Sequence, residues 1–127
     1  MTTTLYDHWS EVPASAWRWP SFTPREIASK GDGSLLLVPE AMDRLQSARE
    51  IYDQSMLITS AYRDPIHNAR VGGAPRSMHK RGIAFDIALQ RRPKQPLIQA
   101  LEIAGFAGLG VRYRTFVHAD CGRKRSW

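Results

Sequence analysis

The chain is predicted to fold as a single α+β domain with a small antiparallel sheet and flanking helices. Three observations lead there. Apolar residues at helical spacing dominate the first half of the chain. Strand alternation appears mostly later, and 127 residues fit one domain with little left for a second. Helices followed by a run of strands, rather than strands alternating with helices, mark this class.

Residues 1–16 read as an irregular lead-in and 17–127 as the domain proper. The first twenty residues carry Trp9, Trp17 and Trp19 with two prolines, a composition that covers a core edge more often than it forms a binding platform. Thr23-Pro24-Arg25-Glu26 is a capping box with proline at the first helical position, so a short helix starts there. Gly31 and Gly33 are expected to end it. Pro39 opens a second helix running to about Gln54, with Met42, Leu45, Ala48 and Tyr52 at helical spacing. Met56-Leu57-Ile58-Thr59 is a buried-strand candidate.

From Ser60 to Arg76 turn formers accumulate (Asp64-Pro65, Asn68, Gly72-Gly73), and the stretch is expected to be a long functional loop. Ile83 to Leu89 then alternates. Ile83, Phe85, Ile87 and Leu89 fall on one face, and Ala84, Asp86 and Ala88 on the other. Pro96 to Ala104 suits a helix closed by Gly105. Two short strands follow, Gly108 to Tyr113 and Thr115 to Cys121.

Bulk properties narrow the chemistry. A chain of this length buries a real core without a disulfide framework, and 43% hydrophobic against 24% charged residues is ordinary for a soluble globular protein. The single cysteine, Cys121, excludes an internal disulfide and a Cys-rich zinc knuckle. Any metal must therefore be held by His, Asp or Glu. The N-terminus lacks a basic start followed by an apolar run of roughly 7–15 residues, so no Sec signal is read there. No stretch approaches the roughly 18 apolar residues that span a bilayer. The expectation is a protein made in the cytoplasm and left there unless something else exports it. A net charge of +6 favours polyanions. The basic residues, however, sit in pairs and triplets (Arg91-Arg92, Arg123-Lys124-Arg125) without an aromatic ladder, so they read as a solvated surface and not as a specific nucleic-acid site.

Of four histidines, His8, His67, His79 and His118, two sit in informative settings. In Ser77-Met78-His79-Lys80-Arg81-Gly82-Ile83-Ala84-Phe85-Asp86, Gly82 permits a sharp reversal that brings His79 back toward Asp86. Asp86 interrupts an apolar strand, where a buried carboxylate needs a charged partner or a metal. In Thr115-Phe116-Val117-His118-Ala119-Asp120, alternation puts Phe116, His118 and Asp120 on one face, the latter two about 6.6–6.8 Å apart along the strand. Two His and one Asp would give Zn²⁺ three protein ligands and leave a fourth position open, the mark of a catalytic site. From spacing alone, ordinary core or surface roles for these residues stand level with the metal site.

The ordered set Ser60-Ala61-Tyr62-Arg63, Asn68, Gly72-Gly73-Ala74, Ser77-x-His79-x-x-Gly82-x-Ala84-x-Asp86 and Phe116-Val117-His118-x-Asp120 resembles the zinc D-Ala-D-Ala carboxypeptidase family. That family takes in D,D-peptidases, vancomycin-resistance dipeptidases and phage endolysins. Trp19-Pro20-Ser21-Phe22-Thr23-Pro24-Arg25-Glu26 also resembles the start of its short members. The resemblance runs from about residue 17 to the C-terminus and implies a hedgehog/D,D-peptidase-like fold. It implies zinc as cofactor, held by His79, Asp86 and His118. Arg63 would meet the substrate carbonyl and its developing charge. Tyr62, Asn68 and Ser77 would stand beside the ligands or the substrate, with a simple turn serine as the alternative for Ser77. His67 has no matching role and reads as surface or substrate-side. Several branches carry a catalytic carboxylate three residues before the last histidine, where this chain has Thr115. Asp120 is the nearest carboxylate, expected as general base, with orientation of a ligand as the alternative.

The function these residues imply is hydrolysis of an amide in peptidoglycan peptides next to a D-amino acid. A phage-type endolysin released through a holin, or delivered with a virion or gene-transfer particle, is the expected form. A non-catalytic zinc- or peptidoglycan-binding module on the same fold is the rival, and a basic nucleic-acid-binding protein a weaker one.

Overall fold

The computed structural model describes residues 2–127; Met1, the first residue of the expected lead-in, lies outside them. The lead-in is more ordered than its composition suggests. Strand β1 (Thr4–Tyr6) pairs antiparallel with β2 (Leu35–Leu37), Leu5 opposite Leu36. Neither strand was expected, because three residues are too few to display alternation and each forms only against the other. Short 3₁₀ turns at Trp9–Glu11 and Ala14–Ala16 follow β1. Trp17 and Trp19 then cover the core edge, as expected. Trp19 is fully buried and its indole N–H donates to Asp43 at 2.8 Å, while Trp17 donates to the Phe22 carbonyl at 2.8 Å.

Helix α1 (Pro24–Ile27) forms at the expected capping box, with the Glu26 N–H donating to Thr23 Oγ1 and the Thr23 N–H to Glu26 Oε1. It is a single turn that stops at Ala28, ahead of Gly31 and Gly33. Helix α2 (Pro39–Tyr52) buries Ala41, Met42, Leu45 and Ala48 along one face and ends where Asp53 turns left-handed at φ 55°. Strand β3 is Ile58–Ser60, later than expected.

The expected long loop holds a helix, α3 (Pro65–Arg70). Asp64 caps it by accepting the His67 N–H at 2.9 Å, and Pro65 occupies the first turn, where a missing N–H costs nothing. A 3₁₀ turn at Met78–Arg81 leads through Gly82 into β4 (Ala84–Ala88). Helix α4 (Lys94–Ile103) starts two residues before Pro96, which its first turn tolerates. Strands β5 (Gly108–Gly110), β6 (Phe116–Asp120) and β7 (Arg125–Ser126) complete the chain.

The main sheet has the order β3-β4-β6-β5-β7. Its first three pairings are antiparallel, as the class predicts, and the edge pairing of β5 with β7 is parallel. The β4–β6 register sets Phe85 opposite Ala119 and Ile87 opposite Val117, all buried, with Leu109 of β5 also opposite Ala119. This apolar face shares a core with α2 and α4, which pack on each other. The opposite face carries Ala84, Asp86 and Ala88 against Asp120, His118 and Phe116, with Gly108 and Gly110 alongside. One face is therefore core and the other is chemistry.

Gly82 is the joint between the 3₁₀ turn and β4. It sits at φ 71°, and a Cβ there would stand 2.8 Å from the Leu36 carbonyl oxygen. Gly82→Ala is expected to cost at least about 1–2 kcal/mol, from the left-handed backbone alone. Urea denaturation measures it, and an unchanged midpoint would contradict the strained joint.

Candidate metal centre

His79 is delivered by the 3₁₀ turn that Ser77 caps, the His79 N–H donating to Ser77 Oγ at 3.2 Å. Its carbonyl accepts the Arg63 N–H at 3.1 Å, tying the two predicted site segments together through the backbone. His79 Nδ1 lies 2.7 Å from the Ala61 carbonyl oxygen. A carbonyl only accepts, so Nδ1 carries a proton and donates, which leaves Nε2 to face the cluster. That Nε2 faces Asp86 Oδ1 at 3.3 Å.

His118 repeats the arrangement from β6. Its Nε2 lies 2.7 Å from Asp120 Oδ2, and its Nδ1 faces the same Asp86 Oδ1 at 3.0 Å. The two imidazole rings meet edge to face with centroids 5.1 Å apart. Asp86 turns its other oxygen, Oδ2, to Arg63 Nη2 at 3.5 Å. Burial works to raise the Asp86 carboxyl, but the hydrogen bonds from His118 and His79 outweigh it and hold it at about 2. Burial likewise works to lower His118, and its bonds to Asp120 and Asp86 carry it above the ordinary value instead. Asp86 is therefore an anion at neutral pH, with two ring nitrogens aimed at one of its oxygens.

The donor set fits a small divalent cation. Nitrogen and oxygen atoms of His79, Asp86 and His118 all lie within 4.8 Å of one another. Tetrahedral zinc, with ligand bonds of about 2.0–2.2 Å, sets neighbouring ligand atoms roughly 3.3–3.5 Å apart. The two observed separations from Asp86 Oδ1, 3.3 and 3.0 Å, are close to that. Each imidazole also gives its far N–H to an oxygen acceptor, the usual means of fixing the tautomer and aim of a metal-binding histidine.

The remaining predicted residues separate into those at the centre and those away from it. Arg63 is at the centre: Nε donates to Ser60 Oγ at 3.0 Å and Nη1 to Asn68 Oδ1 at 3.4 Å, so three groups hold the guanidinium plane. Asn68 is buried and its Nδ2 donates to the Ala74 carbonyl at 2.9 Å, bracing Arg63 and the glycine-rich turn together. Ser77 holds the backbone of the turn that carries His79. Tyr62 lies elsewhere. Burial raises its phenol, as do the charges of Asp32 and Asp64, while a hydrogen bond with Ser34 opposes them, which puts the hydroxyl among those loops. His67 packs beneath Gly31, outside the cluster. Thr115 is exposed, one residue before β6.

Asp120 is completely buried. Arg125 grips it bidentately, Nη1 to Oδ1 at 2.9 Å and Nη2 to Oδ2 at 2.8 Å, and the Gly122 N–H adds a bond to Oδ1 at 2.9 Å. Against the effect of burial, the bonds from His118, Arg125 and Gly122 hold this carboxyl far below the ordinary carboxylate range. Arg125 thus departs from the solvated basic surface expected of Arg123-Lys124-Arg125. Nothing local distinguished it from its neighbours, because its partner is a strand residue facing inward. Ser60 belongs to the ordered motif without a role of its own there, and the structure shows it holding Arg63.

Among the described residues no helix is long and apolar enough to cross a membrane. A comparison with curated proteins returns no match. The profile of the family described as Peptidase M15 matches residues 20–120, a stretch that contains Arg63, His79, Asp86, His118 and Asp120. The chain belongs to the peptidase M15 family, whose members are metallopeptidases.

Proposed function

We propose that the protein is a zinc peptidase that hydrolyses an amide bond of bacterial peptidoglycan peptides next to a D-amino acid. The convergence of His79 Nε2 and His118 Nδ1 on one oxygen of Asp86, with Arg63 on the other, carries this reading. Zinc bound there would supply Lewis acidity toward the scissile carbonyl and toward water. Arg63 contributes a fixed cation beside the carbonyl oxygen, where negative charge develops in the transition state, at no reorganisation cost because Ser60 and Asn68 already hold it. Asp86 Oδ1, which faces both imidazoles, would hold the metal, while Oδ2 faces Arg63 and ties that guanidinium to the same carboxylate.

Asp120 enters as the carboxylate that orients His118. All the bonds to its two oxygens come from His118, Arg125 and Gly122, and it has no exposed surface. That environment supports orientation over the general-base role that its place after His118 suggested. The finer reading, a phage-type or gene-transfer-particle endolysin that reaches the wall through a holin or with a virion, is supported by the resemblance to a family that takes in phage endolysins and by the resemblance of Trp19 to Glu26 to the start of its short members.

Purified protein is expected to contain one zinc per chain by metal analysis, and His118→Ala to contain markedly less. Equal zinc in both would remove His118 from the site. Asp120→Asn separates the two roles of that residue. Loss of an orienting carboxylate is expected to weaken zinc binding about 10–100-fold, with much of the hydrolysis returning at saturating zinc. Full zinc affinity with hydrolysis abolished would restore Asp120 as the base.

Isolated sacculi treated with the zinc-loaded protein are expected to release peptide ends whose masses identify the bond, and a chelator to stop the release. Intact walls from several bacteria would leave a non-catalytic binding module in place of the peptidase. For delivery, the protein expressed alone in a Gram-negative host is expected to spare the cells, and to lyse them when fused to a Sec signal or co-expressed with a holin.

A further inference from the structure

Beside His118 four side chains close a circuit. His118 Nε2 bonds Asp120 Oδ2 at 2.7 Å. Asp120 is gripped by both terminal nitrogens of Arg125. The Arg125 guanidinium lies over the Trp127 ring, 4.7 Å from its centroid. The Trp127 ring packs back on the His118 ring with centroids 5.1 Å apart. Each member is thus held by two others, and one of the four is a proposed metal ligand.

The backbone is arranged to admit this circuit. Strand β7 runs parallel to β5 as an edge strand, with Arg125 N–H donating to Ala107, Trp127 N–H to Leu109 and Val111 N–H to Trp127, and from there the Arg125 and Trp127 side chains reach Asp120 and His118 on the functional face. Beneath them β5 presents Gly108 opposite Asp120 and Gly110 opposite His118. A Cβ at Gly108 would collide with Asp120 Oδ1 and Arg125 Nη1. A Cβ at Gly110 would stand 2.9 Å from both Trp127 Cε2 and Tyr113 Cε2. The Trp127 indole N–H donates to the Tyr113 hydroxyl at 2.9 Å, which fixes the ring from its far edge. Two side-chain-free positions on one strand therefore make room for the ion pair and for the aromatic ring.

We propose that Arg125 is a positioning residue for the metal ligand His118, acting through Asp120, with Trp127 closing the array against the His118 ring; this rests on the metal centre proposed above. The planar fork of arginine meets both carboxylate oxygens at once, which a lysine ammonium cannot do. With Oδ1 held by Arg125 and Gly122, and Oδ2 by Arg125, the carboxylate cannot swing about its own axis. Its Oδ2 therefore offers the His118 Nε2–H a single direction, and that direction turns Nδ1 toward Asp86 Oδ1.

The test measures zinc affinity, by competition with a chromophoric chelator, for wild type, Arg125→Gln, Arg125→Lys, Asp120→Asn and the Arg125→Gln/Asp120→Asn double variant. Arg125→Gln is expected to bind zinc about 10–100-fold more weakly, and Arg125→Lys to recover part of the loss. If Arg125 works through Asp120, the double variant binds no more weakly than Asp120→Asn alone; additive losses would overturn the proposal. Cobalt substituted for zinc adds a readout that a merely loosened fold does not move. The d–d absorption of Arg125→Gln is expected to differ from wild type, while that of Ser126→Ala is expected to match it. Should Arg125→Gln fail to fold, Arg125→Lys decides alone, since wild-type affinity and spectrum there would show that the fork is not needed. A wild-type chain that binds no zinc would instead overturn the metal centre itself, so the two failures are distinguishable.

Discussion

The register between β4 and β6 is the constraint on which the rest of the structure depends. It sets Asp86 opposite His118 and Ala84 opposite Asp120, and so brings two proposed ligands and a ligand's partner onto one patch of sheet. Because side chains alternate with a period of two, a slip of one residue would send Asp86 into the hydrophobic core. What forbids the slip is the other face, where Phe85, Ile87, Val117 and Ala119 are buried against the helices. The geometry of the polar site is in this sense enforced by apolar packing on the opposite side of the same strands.

Placing two carboxylates on a covered face creates an electrostatic demand that shapes the surrounding loops. A buried anion without a counter-charge is strongly destabilising, and removing one partner of a buried pair commonly costs a few kcal/mol. The chain answers with one arginine for each carboxylate: Arg63 for Asp86 and Arg125 for Asp120. The two pairings differ in kind. Arg63 stands 3.5 Å from its partner and is held mainly by Ser60 and Asn68, which leaves it free to act on another oxygen. Arg125 is held bidentately by Asp120, by the Arg123 carbonyl and over the Trp127 ring, which commits it to its own segment. Among the described residues no buried side-chain nitrogen or oxygen is left without a partner.

Short local devices then carry the site residues to the sheet. Ser77 and Gly82 bound the turn that holds His79, and Asp64 starts the helix after Arg63. The bond from the Arg63 N–H to the His79 carbonyl locks these two segments in step. The centre is therefore built from one rigid strand pair and two capped turns, with little reliance on unsupported loop.

Arg63 entered through the family resemblance, whereas the order of residues alone carried the α+β class, helix α2, the two faces of β4 and β6, and His79, Asp86, His118 and Asp120 as residues of interest. These were legible because the signals are local: helical spacing, strand alternation, a capping box, and a charged residue inside an apolar run. The Asp64-Pro65 start of α3 is equally local but looks like a turn in the sequence, since a helix of six residues shows too little periodicity to stand out. Long-range packing alone set the β1–β2 pair, the parallel docking of β7, the placement of Tyr62 away from the His79–Asp86–His118 cluster and the ion pair of Arg125 with Asp120. Each of these depends on partners far apart in the chain or on the direction in which a strand edge is filled. A three-residue strand exists only once its partner is beside it, and an arginine in a basic triplet becomes a structural cation only when folding puts a buried carboxylate within its reach.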